Sequence, residues 1–244
     1  MLSEQRTVRA VRTKAENLPS GLDKTYDDVM ERISKQAPAD VDLAFKVLSW
    51  VTYAKRPLKP EELQYAVATA PGMTSLDDDD LTDVEDLLSF CAGIAIVDRE
   101  SNVVRLVHYT TQGFLEDRLT DRKVDVPRAC LSYLEVPLES ILDNYSYSIG
   151  VNVDKLYPLL DYARMYWADH IRGHSEDQLK TDCLRAVSGH GIRVLLSDPC
   201  RYREIPTFNG QDIIQLLPIC AAYGLAGFCR ELLGSDKYVP LQES

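Results

Sequence analysis

Apolar positions recur at helical spacing along most of the chain, and the period departs from it in one stretch. Leu22, Tyr26, Val29, Met30 and Ile33 fall at i, i+4, i+7, i+8 and i+11, one face of a helix. Residues 1–35 therefore predict helix, a break at Leu18-Pro19-Ser20-Gly21, and helix again, closed by Pro38. Residues 40–54 predict a second helix with Leu43, Val47, Leu48, Val51 and Ala54 on one face, Asp40 as N-cap and Arg56-Pro57 as its end. A third begins near Pro60, with Glu61 and Glu62 where the helix dipole favours acids. It turns Leu63, Ala66 and Val67 inward and stops before Pro71-Gly72. A fourth, Leu81 to Ala92, aligns Leu81, Val84, Leu88 and Cys91 and ends at Gly93, a natural left-handed terminator.

At that glycine the period switches to alternation. Ile94 to Val97 and Val103 to His108 read as short strands around the loop Arg99-Glu100-Ser101-Asn102. Tyr109 to Asp117 returns to helix. Three helices, a hairpin and a helix over residues 40–118 follow the order of a winged helix-turn-helix, with the hairpin as the wing. Beyond it the pattern is helical. One helix is expected at about 125–135, and an irregular link at Tyr145 to Val153. A strong amphipathic helix follows at about 156–171, and another at about 176–196, interrupted near Gly189 and Gly191. Pro199 and Pro206 mark a linker, and two short helices surround Tyr223-Gly224. The fold class expected is mostly α: a winged helix with a small β-hairpin wing, then a helical linker and a final helix pair. The expected divisions are 1–38, 39–120, 121–205 and 206–244.

Charge narrows the function. The chain of 244 residues carries 27 Lys and Arg against 38 Asp and Glu, a net charge of −11. Seven of those acids, Asp77, Asp78, Asp79, Asp80, Asp83, Glu85 and Asp86, lie before and on the fourth helix, and no Lys or Arg occurs from Leu76 to Val97. A winged helix that reads DNA needs basic positioning contacts there. Neither nucleic acid nor a membrane is the expected partner. No run of about 18 apolar residues exists, and the N-terminal MLSEQRTVRAVRTKAEN lacks the apolar core of a secretory signal. A cytoplasmic location is expected. Cys91, Cys130, Cys183, Cys200, Cys220 and Cys229 are scattered, with no C-x-x-C pair, and read as small buried hydrophobes.

Several short motifs carry a resemblance. Leu18-Pro19-Ser20-Gly21-Leu22-Asp23, with Tyr26 and Arg32-Ile33, resembles the end of the ATPase module of fungal NACHT–ankyrin proteins, a group of NOD-like signalling ATPases. Val47-Leu48-Ser49-Trp50, Lys55-Arg56-Pro57-Leu58, Glu61-Glu62-Leu63 and Leu106-Val107-His108-Tyr109 with Phe114-Leu115 resemble the winged helix that follows it. Leu160-Asp161-Tyr162-Ala163, with Tyr166-Trp167, resembles the helical linker beyond. Pro218-Ile219-Cys220-Ala221-Ala222-Tyr223-Gly224, with Leu232-Leu233, is similar to an ankyrin repeat whose T-P-L-H start is replaced by Leu217-Pro218-Ile219-Cys220.

The resemblance implies an upstream NACHT module that binds ATP or ADP and a downstream ankyrin array that senses a protein ligand. Both would be partners within one full-length protein able to oligomerise. No G-x-x-x-x-G-K-[ST] occurs in this sequence; Gly21-Leu22-Asp23-Lys24-Thr25 only echoes its end. No cofactor is therefore expected in this chain itself. The resemblance also assigns His108 a role: a winged-helix histidine at this junction reaches the β-phosphate of ADP and holds the off state. The bland alternative is a histidine that caps or packs at the base of the wing. Some relatives of this domain carry a glycolipid inositol deacylase label, but no G-x-S-x-G elbow is present, so no activated serine is expected and no enzyme activity. His170 and His174 share the i, i+4 spacing of a zinc face without an H-E-x-x-H motif. Tyr162, Tyr166 and Trp167 read as core before partner surface. A stand-alone adaptor without an ATPase is the second expectation, and a DNA-binding winged helix the third.

Overall fold

The computed structural model describes residues 19–73, 75–135, 157–173, 175–188, 220–221 and 223–234. Expectations for residues 1–18, for the link at 145–153, for His174, for Cys200 and for the segment 189–219 lie outside them.

Helix α1 spans Pro19–Ser34, so Pro19 opens a helix that the sequence pattern started only after Gly21. Pro38, expected to close a unit, instead stands at the first turn of α2, Pro38–Tyr53. A proline fits there because its missing N–H has no partner to lose. Ala37 is the N-cap, and Asp40 sits in the first turn as an acid favoured by the dipole. Helix α3 spans Pro60–Ala68. The fourth helix is shorter than the apolar period implied: α4 covers Val84–Phe90, after a 3₁₀ turn at Asp78–Asp80. Leu81 lies outside it, and Leu87 and Cys91 face the core. Ala92 and Gly93 both take positive φ, 51° and 86°, which reverses the chain into the first strand.

Strands β1, Ala95–Asp98, and β2, Val103–Leu106, pair antiparallel with Ala95 opposite Leu106 and Asp98 opposite Val103. Asn102, at φ 50°, closes the hairpin. His108, expected in the second strand, lies past its end and caps helix α5, Tyr109–Arg118. On its far side β2 touches one more residue: the Val104 N–H donates to the Leu58 carbonyl at 2.8 Å, an isolated bridge.

The order α2, α3, α4, β1, β2, α5 is a winged helix. Behind it come α6, Asp125–Glu135, α7, Leu160–Ile171, α8, Lys180–Ser188, and α9, Ala226–Gly234. Helix α7 packs along α6, and α6 also packs on α2, α3 and α8. One buried apolar cluster therefore runs from Ile33 through Trp50 and Leu131 to Trp167 and Phe228. Fully burying side chains of this size contributes roughly 1.5–3 kcal/mol each, so the wing and the helices after it share one core.

Candidate functional site

Two hydrogen-bonded groups hold the winged helix to its flanks. The first lies at the N-terminus of α5. His108 has extended backbone angles, and its Nδ1 accepts the Thr110 N–H at 3.3 Å, one of the orphan donors of a helix start. The Thr110 hydroxyl lies 2.7 Å from the same nitrogen and 2.8 Å from the Tyr26 hydroxyl of α1. Thr111 Oγ1 donates to Tyr26 at 3.1 Å. Every group is satisfied if the protons run Thr111 to Tyr26 to Thr110 to His108 Nδ1. The imidazole proton is then on Nε2, a free donor on an exposed ring. Tyr26 also packs on Phe114, with ring centroids 5.2 Å apart, and Arg118 binds Asp27 at 2.6 Å. The capping role of His108, read from the sequence as the bland alternative, is thus its observed geometry.

The second group joins the winged helix to α7. Tyr162 is fully buried, its hydroxyl accepts the Lys55 N–H at 2.8 Å, and it lies 2.8 Å from His170 Nε2. With the oxygen accepting from Lys55, the tyrosine proton is left to donate to His170 Nε2 in the tautomer that carries its proton on Nδ1. Burial pushes the His170 imidazole down to about 3, with the ammonium groups of Lys55 and Lys123 adding to the effect. His170 is therefore held neutral, and its i, i+4 partner His174 lies outside the described residues. Trp50 meets the Tyr162 ring edge-on at 5.5 Å, and the Arg56 guanidinium stands 5.2 Å above its centroid. Glu62, buried at 5% exposure, clamps Arg56 through both oxygens at 2.7 and 2.8 Å and accepts the Lys59 N–H at 2.8 Å. Trp50, Lys55-Arg56 and Tyr162, three motifs more than a hundred residues apart at the extremes, converge on one contact.

A third junction, between the turn that joins α7 to α8 and the start of α9, was not legible in the sequence. Glu176 is buried, and its carboxylate accepts the N–H groups of Gly173 at 3.0 Å, Gly227 at 2.6 Å and Phe228 at 3.3 Å. It caps the start of α9 from fifty residues away. Arg172 adds a bond to the Tyr223 carbonyl at 2.8 Å.

The other candidates divide. All seven acids of Asp77 to Asp86 are exposed. Trp167, like Tyr162, is core, and Tyr166 is half-buried. Cys91, Cys130, Cys183 and Cys220 are buried and unpaired, and burial raises their thiols, Cys91 and Cys220 to about 12. A thiol held protonated is a poor nucleophile.

Residues 30–126 match the GPI inositol-deacylase winged helix domain. This segment is a winged helix domain of that type. It ends just inside α6, so α7 to α9 lie beyond the matched residues. The chain is 25% identical over 189 residues to azaphilone pigments biosynthesis cluster protein L of Monascus ruber, covering 68% of this chain and 38% of that protein. It is 22% identical over 228 residues to vegetative incompatibility protein HET-E-1 of Podospora anserina, covering 82% of this chain and 15% of that protein. The chain thus spans well under half the length of either relative. No solved structure matches. Thr110 and Arg56 with Glu62 within the winged helix domain, and Tyr26 beside it on α1, carry polar work that apolar periodicity hides. Only the spacing of Glu62 three residues after the Lys59 N-cap signalled any of it.

Proposed function

We propose that this chain is a non-catalytic regulatory and scaffold segment of a NACHT–ankyrin signalling NTPase. It couples the nucleotide state of an upstream module to partner sensing by a downstream ankyrin array through protein–protein contacts. The observation that carries the reading is the hydrogen-bonded chain from Tyr26 on α1 through Thr110 to His108. Helix α1 holds the residues that resemble the end of a NACHT module. A displacement of α1 therefore reaches His108 directly, and its Nε2–H is free to donate to a phosphate oxygen in that module. The order of the motifs, the winged helix match and the similarity to the incompatibility protein support the same reading. ATP or ADP is bound by the upstream module and no cofactor by this segment. The exposed acids before and on α4 suit packing against protein and repel nucleic acid. A cytoplasmic location and assembly through the full-length protein follow from the same reading.

The test is the full-length protein with His108→Ala and, separately, Tyr26→Phe. Faster ADP release and higher basal activity in both variants are expected. Unchanged ADP retention in His108→Ala removes the sensing role. A genomic reading frame without a P-loop module upstream of this segment favours the stand-alone adaptor instead.

A further inference from the structure

A cavity of about 410 Å³ opens between the end of α2 and strand β2. Its floor is the isolated bridge between Leu58 and Val104. Pairing in β2 alternates, so residues whose N–H and C=O do not face β1 face the opposite side. The Val104 N–H goes to Leu58 and the Val107 N–H goes back to Ile94. Leu106, between them, therefore turns its N–H and C=O away from β1; the carbonyl accepts from the exposed Arg105 guanidinium at 3.3 Å, and the N–H faces the cavity side. The chain from Ala54 to Pro57 does not continue the Leu58 bridge along β2. That end of the strand is an edge without a neighbouring strand, and natural proteins usually cover or charge such edges.

Two observations say what the edge receives. Among the described residues the exposed large hydrophobics are Val107 at 49%, Tyr109 at 83% and Leu233 at 49%, and the first two line this cavity. Its charged lining is wholly cationic, Lys55, Arg56 and Arg105, with no carboxylate, in a chain of net charge −11. Arg56 and Arg105 are balanced by Glu62 and Asp98, whereas Lys55 has no carboxylate partner among the described residues. We propose that this groove binds an extended acidic peptide of another protein, which adds a strand to the Leu106 edge. Its acidic side chains would meet Lys55 and the rim cations, and an apolar or aromatic side chain would cover Val107 and Tyr109. Backbone pairing supplies affinity in such strand addition, and alternate side chains supply selectivity. A free phosphate would use the cations but leave the strand edge and both apolar residues idle. The proposal needs no nucleotide coupling, so its failure would leave the His108 reading untouched.

The probe is a fluorescein-labelled dodecapeptide alternating glutamate with valine and tyrosine, titrated into the 244-residue chain by fluorescence anisotropy. Binding is expected, with amide shifts in ¹⁵N spectra centred on Leu106. It should weaken at least about tenfold with Lys55→Glu or Tyr109→Ser, and similarly when alternate peptide amides are N-methylated. Both substituted residues are exposed, so the circular dichroism spectrum serves as the folding control. Higher salt should weaken it further. Equal binding of a lysine-for-glutamate peptide, indifference to both substitutions or to N-methylation, or no binding at roughly 0.1 mM peptide overturns it. So does a dimer seen by light scattering that Tyr109→Ser dissolves, since the groove then belongs to a second copy.

Discussion

His170 ties acid stability to the contact between the winged helix and α7, and its effect can be worked out. In the folded chain the imidazole is held neutral, pushed down to about 3 by burial and by Lys55 and Lys123. In the unfolded chain it titrates near ~6.5. A group whose folded value is depressed contributes its full stability above the unfolded value and loses it as pH falls toward the folded one. The window is therefore from about pH 6.5 down to about pH 3, and the slope within it is about 1.4 kcal/mol per pH unit. Between pH 7 and pH 5 the loss from this one residue comes to about 2 kcal/mol. That figure barely depends on where below about pH 4 the folded value lies, because the unfolded chain does nearly all the proton uptake at pH 5.

The carboxylates also respond to acid, so the measurement is a difference. Urea unfolding of the wild type and of His170→Gln is compared at pH 7 and pH 5. Glutamine is neutral throughout and its carbonyl accepts the Tyr162 hydroxyl. The wild type should lose about 2 kcal/mol more than the variant between the two pH values. Parallel losses would refute the neutral, buried assignment of His170 and with it the direction of the Tyr162 bond.

Tyr162→Phe keeps the ring against Trp50 but strips a partner from both the Lys55 N–H and His170 Nε2; a loss of about 1–3 kcal/mol in urea unfolding is expected. Tyr166→Phe, on the same helix but only half-buried, should lose less. Gly227→Ala tests the Glu176 cap. Alanine normally stabilises a helix by about 1 kcal/mol over glycine, but here its Cβ would collide with the Glu176 carboxylate. The substitution should therefore destabilise and speed hydrogen exchange at Phe228, and Glu176→Ala should do the same; a stabilised Gly227→Ala would refute the cap.

Helices α2, α3, α5 and α6 and the hairpin with its Arg99–Asn102 loop were all legible in the sequence, because prolines, glycines and apolar period act locally. Gly93 was legible as a left-handed terminator for the same reason. Where the apolar period misplaces a boundary, a short-range hydrogen bond decides. Leu81 fits the helical period, yet three consecutive aspartates close a 3₁₀ turn before it, and the helix starts only after Asp83. His108 continues the alternation of β2, but its ring serves the helix start better than the strand.

By itself the sequence determined the elements, their order and the acidic face before and on α4, since these rest on propensity, period and charge within a few residues. It also placed Trp50, Lys55-Arg56, His108 and Tyr162 among the residues worth watching. Only the tertiary structure decided that Trp50, Lys55, Arg56 and Tyr162 are one site. It also decided that Glu176 caps a helix fifty residues away and that the Leu106 N–H turns away from β1 beside Lys55 and Tyr109. Hydrogen bonds and buried charges depend on distance in space. The polar residues that make them carry no period along the chain to announce which partner they will meet.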